Sequence, residues 1–153
     1  MNPSALLHWE DFPVGTVMEM GGATVTRDEI MAFARQFDPQ PFHLDEEAAR
    51  HSLFGGLAAS GWHTAALAMR MWCDGVLSRA ASNGSPGVEK LRWLKPVRPG
   101  DTLRLRIRVV EARPMASKPH LGLMRSEWTV VNQAEEPVMT LDGWGILRRR
   151  GAG

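Results

Sequence analysis

The spacing of apolar residues changes once along the chain, from a helical period in the first half to a period of two in the second. In TVTRDEIMAFARQF, Ile30, Phe33, Ala34 and Phe37 recur at helical spacing, and Thr26 with Glu29 three residues on gives a capping-box start signal. The predicted helix ends at Asp38, because Pro39 disfavours the α conformation in the residue before it. Residues 1–15 read as an opening arm ending in the turn-like FPVG, and 16–20 as a first strand closed by Gly21-Gly22. After Asp38 come a loop stiffened by Pro39 and Pro41, a short helix in LDEEAARH with Asp45 as N-cap, and a glycine-rich stretch over 53–61. A helix from 62 to about 81 is apolar on almost every side, with Arg70, Asp74 and Arg79 its only charges, and is therefore expected to be surrounded by protein. Gly75 interrupts it only mildly.

The turn signal SNGSPG over 82–87 separates the two halves. Beyond it, VEKLRWLKPV, DTLRLRIRVVEA, LGLMRSEWTVVN and VMTLDGWGILRR read as four strands, with Leu103, Leu105, Ile107 and Val109 alternating against Arg104, Arg106 and Arg108. Short connections predict an antiparallel meander with one face buried. An apolar sheet face and one thoroughly apolar helix satisfy each other when the sheet curls around the helix. The fold class expected is α+β, one domain over 1–153 with its core at about 11–147, in the arrangement known as the hotdog fold.

Composition narrows the function classes. The chain has 153 residues, 44% hydrophobic and 23% charged, with 18 basic and 17 acidic side chains and a net charge of +1. A protein built mainly to hold nucleic acid would show a broad basic field, so no nucleic-acid partner is expected. The basic clusters Arg104/Arg106/Arg108 and Arg148/Arg149/Arg150 fit either a solvated surface or contacts with a phosphate-bearing ligand. The lone Cys73 lies in an apolar stretch and reads as a small core residue in a reducing compartment. With no basic-then-apolar leader pattern and no run of about eighteen apolar residues, a cytoplasmic protein with no membrane partner is expected. His8, His51 and His120 are isolated, and no metal and no cofactor are implied.

The chemistry concentrates in FDPQPFHLDEEAARHSLFGGLAASGW. Asp38 and His43 are held five residues apart by two prolines, and a carboxylate beside an imidazole can both take and donate a proton near neutral pH. The residues alone equally allow a capped turn in which His43 makes a local hydrogen bond. AASGW leads into a helix N-terminus, where unpaired N–H groups would stabilise a developing oxyanion and Gly61 would let substrate approach the backbone. An ordinary glycine-containing helix start is the other reading. Of the six tryptophans, Trp62 next to Gly61 is the one placed to shape a pocket.

This stretch, the apolar helix after it and LRWLKPVRPGDTLRLRIRV together resemble the MaoC-like hotdog family of acyl-CoA hydratases and dehydratases. The resemblance spans about 11–147 and rests on the Asp-x4-His loop, the glycine-bearing helix start and the PV-x-PGD-T turn. It implies reversible hydration of a trans-2-enoyl thioester to the 3-hydroxyacyl thioester. Asp38 and His43 match the family's catalytic pair, and Gly61 its backbone oxyanion donor. Gln40, Phe42, Ser60, Trp62 and His63 are the corresponding substrate-side candidates. Gln40-Pro41 stands where Asn-Pro is usual, Ser60-Gly61 where His-Gly is common, and Ala66 near a hydroxyl position of some members. The partners implied are an acyl-CoA or acyl-carrier thioester and a second copy of the chain, since one hotdog unit exposes a sheet edge. A hotdog thioesterase and a non-catalytic acyl-binding subunit are the alternative classes.

Overall fold

The computed structural model describes residues 5–151; the opening arm expected over 1–15 therefore lies partly outside the described residues. Five strands form one antiparallel sheet: β1 (Val17–Thr24), β2 (Val88–Trp93), β3 (Thr102–Pro114), β4 (Leu121–Val131) and β5 (Pro137–Arg148), in the order β1-β3-β4-β5-β2. The helices are α1 (Arg27–Phe37), α2 (Pro41–Leu44), α3 (Glu46–Arg50) and α4 (Gly61–Gly75). The sheet's inner face packs on α4, which is the hotdog arrangement, with strand β1 and helix α1 preceding the central helix.

The alternation in β3 sets this packing. Leu103, Leu105, Ile107 and Val109 are at most 1% exposed and meet Ala68, Met71 and Trp72 of α4, whereas Arg104, Arg106 and Arg108 stand on the outer face. Those arginines pair with Glu135, Glu19 and Glu127 respectively. At the C-terminal end Arg149 approaches Glu10 at 3.9 Å and Arg150 binds Asp11 at 2.6 Å. Both clusters thus carry ion pairs within the chain. Thr26 caps α1 as its sequence signal predicts, its hydroxyl accepting from the Glu29 N–H at 3.1 Å.

Four expectations are corrected. The meander comprises only β3, β4 and β5, because β2 crosses to the far edge and pairs with β5 instead of β3. β1 continues through Gly21-Gly22 with a register shift, since a side chain at Gly21 would put its Cβ 2.8 Å from Arg104 Cα. The stiff loop after Asp38 is partly helical: Pro41–Leu44 form α2, which ends at Asp45, and Asp45 caps α3 as its sequence signal predicts, accepting from the Ala48 N–H at 2.8 Å. α4 stops at Gly75, against Met20, and is not enclosed on every side. Trp62 and Met69 remain 58% and 45% exposed, forming with Val88, Trp93 and Leu94 an apolar stripe along the β2 edge.

Candidate active site

Asp38 ends α1, its N–H donating to the Ala34 carbonyl at 2.9 Å. Three residues on, Pro41 occupies the first turn of α2, where its missing N–H costs nothing and its fixed φ suits the helix. That one-turn helix carries His43 inward, leaving it 4% exposed. The stiff bridge of the sequence is therefore a bend followed by a helical turn, and it faces Asp38 and His43 toward each other with Oδ2 and Nε2 3.4 Å apart.

His43 Nδ1 lies 2.7 Å from the Ala58 carbonyl oxygen. A carbonyl only accepts, so Nδ1 bears a proton, and in the neutral ring Nε2 is then an acceptor. Asp38 is acceptor-only when ionised, and its environment keeps it so. Burial pushes its pKa up, but hydrogen bonds from Gln40 and Ser60 and the neighbouring His43 outweigh that and hold it below the ordinary value. The Gln40 amide donates to Oδ1 at 2.6 Å, leaving Oδ2 on the side of the imidazole. Two acceptors thus lie side by side, 3.4 Å apart.

A cleft of about 420 Å³ opens onto this pair. Asp38, Gln40, Phe42, His43, Gly61 and Trp62 all line it. Gly61 begins α4, and its N–H is bonded to no acceptor among the described residues. The first N–H groups of a helix have no intrahelical partner, so this one is available to a ligand. The Trp93 indole lies against Gly61 so closely that a Cβ there would fall 2.2 Å from the ring, and Trp62 meets Trp93 edge-on at 5.1 Å.

Two expected substrate contacts sit elsewhere. Ser60 is fully buried; its hydroxyl caps α4 by accepting from the Trp62 N–H at 3.2 Å and donates to Asp38, so it braces the carboxylate from behind. His63 is not among the cleft-lining residues: it points from α4 toward α1 and stacks on Phe33 at 4.7 Å with rings 6° from parallel. Its Nδ1 is buried without a hydrogen-bond partner among the described residues. Thr64, one residue further, is buried and lines the cleft, so a hydroxyl is present although Ala66 lacks one. Phe54, Thr64 and Trp93 were not singled out by sequence reasoning; Trp93 sits on β2, remote in sequence, and only the strand order brings it to Gly61.

Burial lowers the His63 pKa, partly offset by Glu29. Its folded pKa lies below the unfolded one, so the unfolded chain binds the extra proton first, and stability falls as pH drops through the unfolded value of about 6.5. Thermal melts should show a smaller loss between neutral pH and about pH 5 in His63→Gln than in the parent.

The model of the family described as "MaoC like domain" matches residues 12–132. The chain belongs to the MaoC-like family. It is 31% identical over 129 residues to the uncharacterized protein YdeM of Bacillus subtilis, covering 84% of this chain and 90% of that one. The crystal structure of the MaoC-like dehydratase from Rhodospirillum rubrum superposes with a TM-score of 0.89 at 44% identity, covering 94% of this chain and 98% of that one. The 3-hydroxybutyryl-CoA dehydratase of Methylorubrum extorquens is 28% identical over 124 residues, covering 76% and 73% of the two chains. In this MaoC-like chain the Asp-x4-His loop and the Gly61 helix start both fall within the matched segment. No helix among the described residues is long and apolar enough to cross a membrane.

Proposed function

We propose that the protein is an acyl-thioester hydro-lyase that reversibly hydrates a trans-2-enoyl-CoA to the 3-hydroxyacyl-CoA. The observation that carries this reading is the pairing of two acceptors, His43 Nε2 and Asp38 Oδ2, at 3.4 Å beside an unpartnered helix N–H. A water donating one hydrogen to each acceptor presents an oxygen lone pair into the cleft. As that oxygen attacks C3, one proton passes to the Asp38/His43 pair, electron density moves through C2 to the thioester oxygen, and the Gly61 N–H stabilises the enolate. A proton from the pair then goes to C2 on the same face. Water is consumed, its hydroxyl ends on C3 and a hydrogen on C2. Dehydration is the reverse.

The 3-hydroxybutyryl-CoA dehydratase relative supports a 3-hydroxyacyl thioester as the class of substrate. Reaction with a trans-2-enoyl-CoA in D2O should give a 3-hydroxyacyl-CoA carrying one deuterium at C2 by mass spectrometry. Release of the enoic acid and free CoA would establish a thioesterase instead, and binding without turnover an acyl-binding subunit.

The active unit is a homodimer on this reading. β2 is an edge strand with an open side, and the apolar stripe of Trp62, Met69, Val88, Trp93 and Leu94 flanks it beside the cleft. Apolar surface on an unpaired edge is normally covered. Sedimentation velocity should give a dimer for the parent chain, and Val88→Glu should shift it toward monomer with loss of hydration activity; a monomeric, active parent would contradict the assignment.

A further inference from the structure

The PV-x-PGD-T turn lies outside the acid/base pair, yet it reaches the pair through one side chain. Arg98 follows β2 in the segment leading to β3 and projects toward the glycine-rich stretch that precedes α4. Its guanidinium donates through Nη1 to the carbonyls of Gly56 at 2.8 Å and Leu57 at 3.2 Å, and through Nη2 to that of Phe54. One side chain thus gathers three consecutive-turn carbonyls from residues more than forty positions earlier. The planar fork of arginine suits this, because its donors point in fixed directions and the group stays charged at any ordinary pH.

The turn fixes where the fork starts. Gly100 has φ +91°, a conformation that disfavours side chains, and the Asp101 carboxylate folds back to accept the Arg98 N–H at 2.8 Å. The other Asp101 oxygen accepts from Gln133 at 2.9 Å, tying the turn to the β4–β5 connection. Beside it, the Ala59 N–H donates to the Val97 carbonyl at 2.9 Å. The guanidinium also lies close over Gly56, where a Cβ would come within 3.2 Å of Nη1.

What Arg98 holds leads directly to His43. Leu57 is followed by Ala58, whose carbonyl receives the His43 Nδ1–H, and both residues are buried. Phe54, held by the same guanidinium, has its ring 5.9 Å from the imidazole and 5.2 Å from Phe42, covering the histidine on the cleft side. We infer that Arg98 is a positioning residue for His43: by anchoring the carbonyls of 54–57 it fixes the Ala58 acceptor, and so the tautomer and ring orientation that leave Nε2 toward Asp38. This inference rests on the proposed role of His43 only for its kinetic consequence.

Side-chain ¹⁵N spectra of the full-length protein, with the His43 signals assigned by their loss in His43→Gln, test it separately from activity. In the parent, His43 should occupy the Nδ1–H tautomer alone. In Arg98→Met it should become a mixture of tautomers with faster Nδ1–H exchange, with kcat falling by about 10²-fold and KM little changed. Arg98→Lys keeps the charge without the fork and should show a smaller change in the same direction; it supplies the readout if Arg98→Met does not fold. A parental His43 spectrum in a folded Arg98 variant overturns the inference whatever the rate does. A changed tautomer with unchanged hydration supports the positioning role and removes His43 from the chemistry.

Discussion

Asp38→Asn should lower kcat/KM for enoyl-thioester hydration by about 10²- to 10⁴-fold, the range that a positioned acid/base group contributes. The amide matches the carboxylate in shape but replaces an ionised acceptor with a neutral group that can donate. Turned toward His43, its NH2 would occupy Nε2, the acceptor of the ring whose Nδ1–H the Ala58 carbonyl receives. The water then loses both anchors. The Asp38 side chain, 16% exposed, forms a cleft wall and not the core, so the variant should unfold near the parental temperature. Because the two residues act on one water, His43→Ala should cost a similar factor, and the double variant little more than either alone. Independent, multiplicative losses would mean that the two serve different steps.

The second large effect is expected at Gly61. In most helices alanine for glycine is stabilising by about 1 kcal/mol. Here the added Cβ would lie 2.2 Å from the Trp93 indole, well inside any real contact, so the ring must leave its place or α4 must shift. Either outcome alters the approach of a thioester oxygen to the first N–H of α4. Gly61→Ala should therefore lose about 10²-fold or more in kcat, comparable to removing one oxyanion donor, and should lower the melting temperature. Adding Trp93→Ala relieves the clash and should recover part of the melting temperature, the rest being lost with the contact to Trp62. Hydration should not return, because the methyl group still stands where the carbonyl approaches. Recovery of activity in the double variant would show that Trp93, and not the backbone at Gly61, limits the reaction.

Local signals in the sequence were legible where a residue's neighbours along the chain decide its structure. Thr26 caps α1, Asp45 caps a helix, and the alternation from Leu103 to Val109 marks the buried side of β3. The Asp38/His43 pair was visible too, since both members lie in one short stretch and Pro41 starts the helical turn between them. Non-local pairing was not. Nothing in VEKLRW distinguishes a strand beside β3 from one beside β5, yet that choice alone puts Trp93 on Gly61. The same limit hid Arg98, whose partners at 54–57 precede it by 41 to 44 residues. Ser60 and His63 illustrate a subtler limit: proximity to Gly61 in sequence suggested substrate contact, but successive helical residues point about 100° apart. Ser60 braces Asp38 from within, and His63 turns to Phe33.

In the proposed mechanism Asp38 and His43 add water to a conjugated thioester. Its most direct test follows crotonyl-CoA by the absorbance of the conjugated enoyl thioester, with free thiol titrated in parallel, for the parent and Asp38→Asn. Rapid absorbance loss without thiol release is expected in the parent, slowed by about 10²-fold or more in the variant. Equal rates in the two proteins, or thiol appearing in step with the absorbance loss, would contradict it.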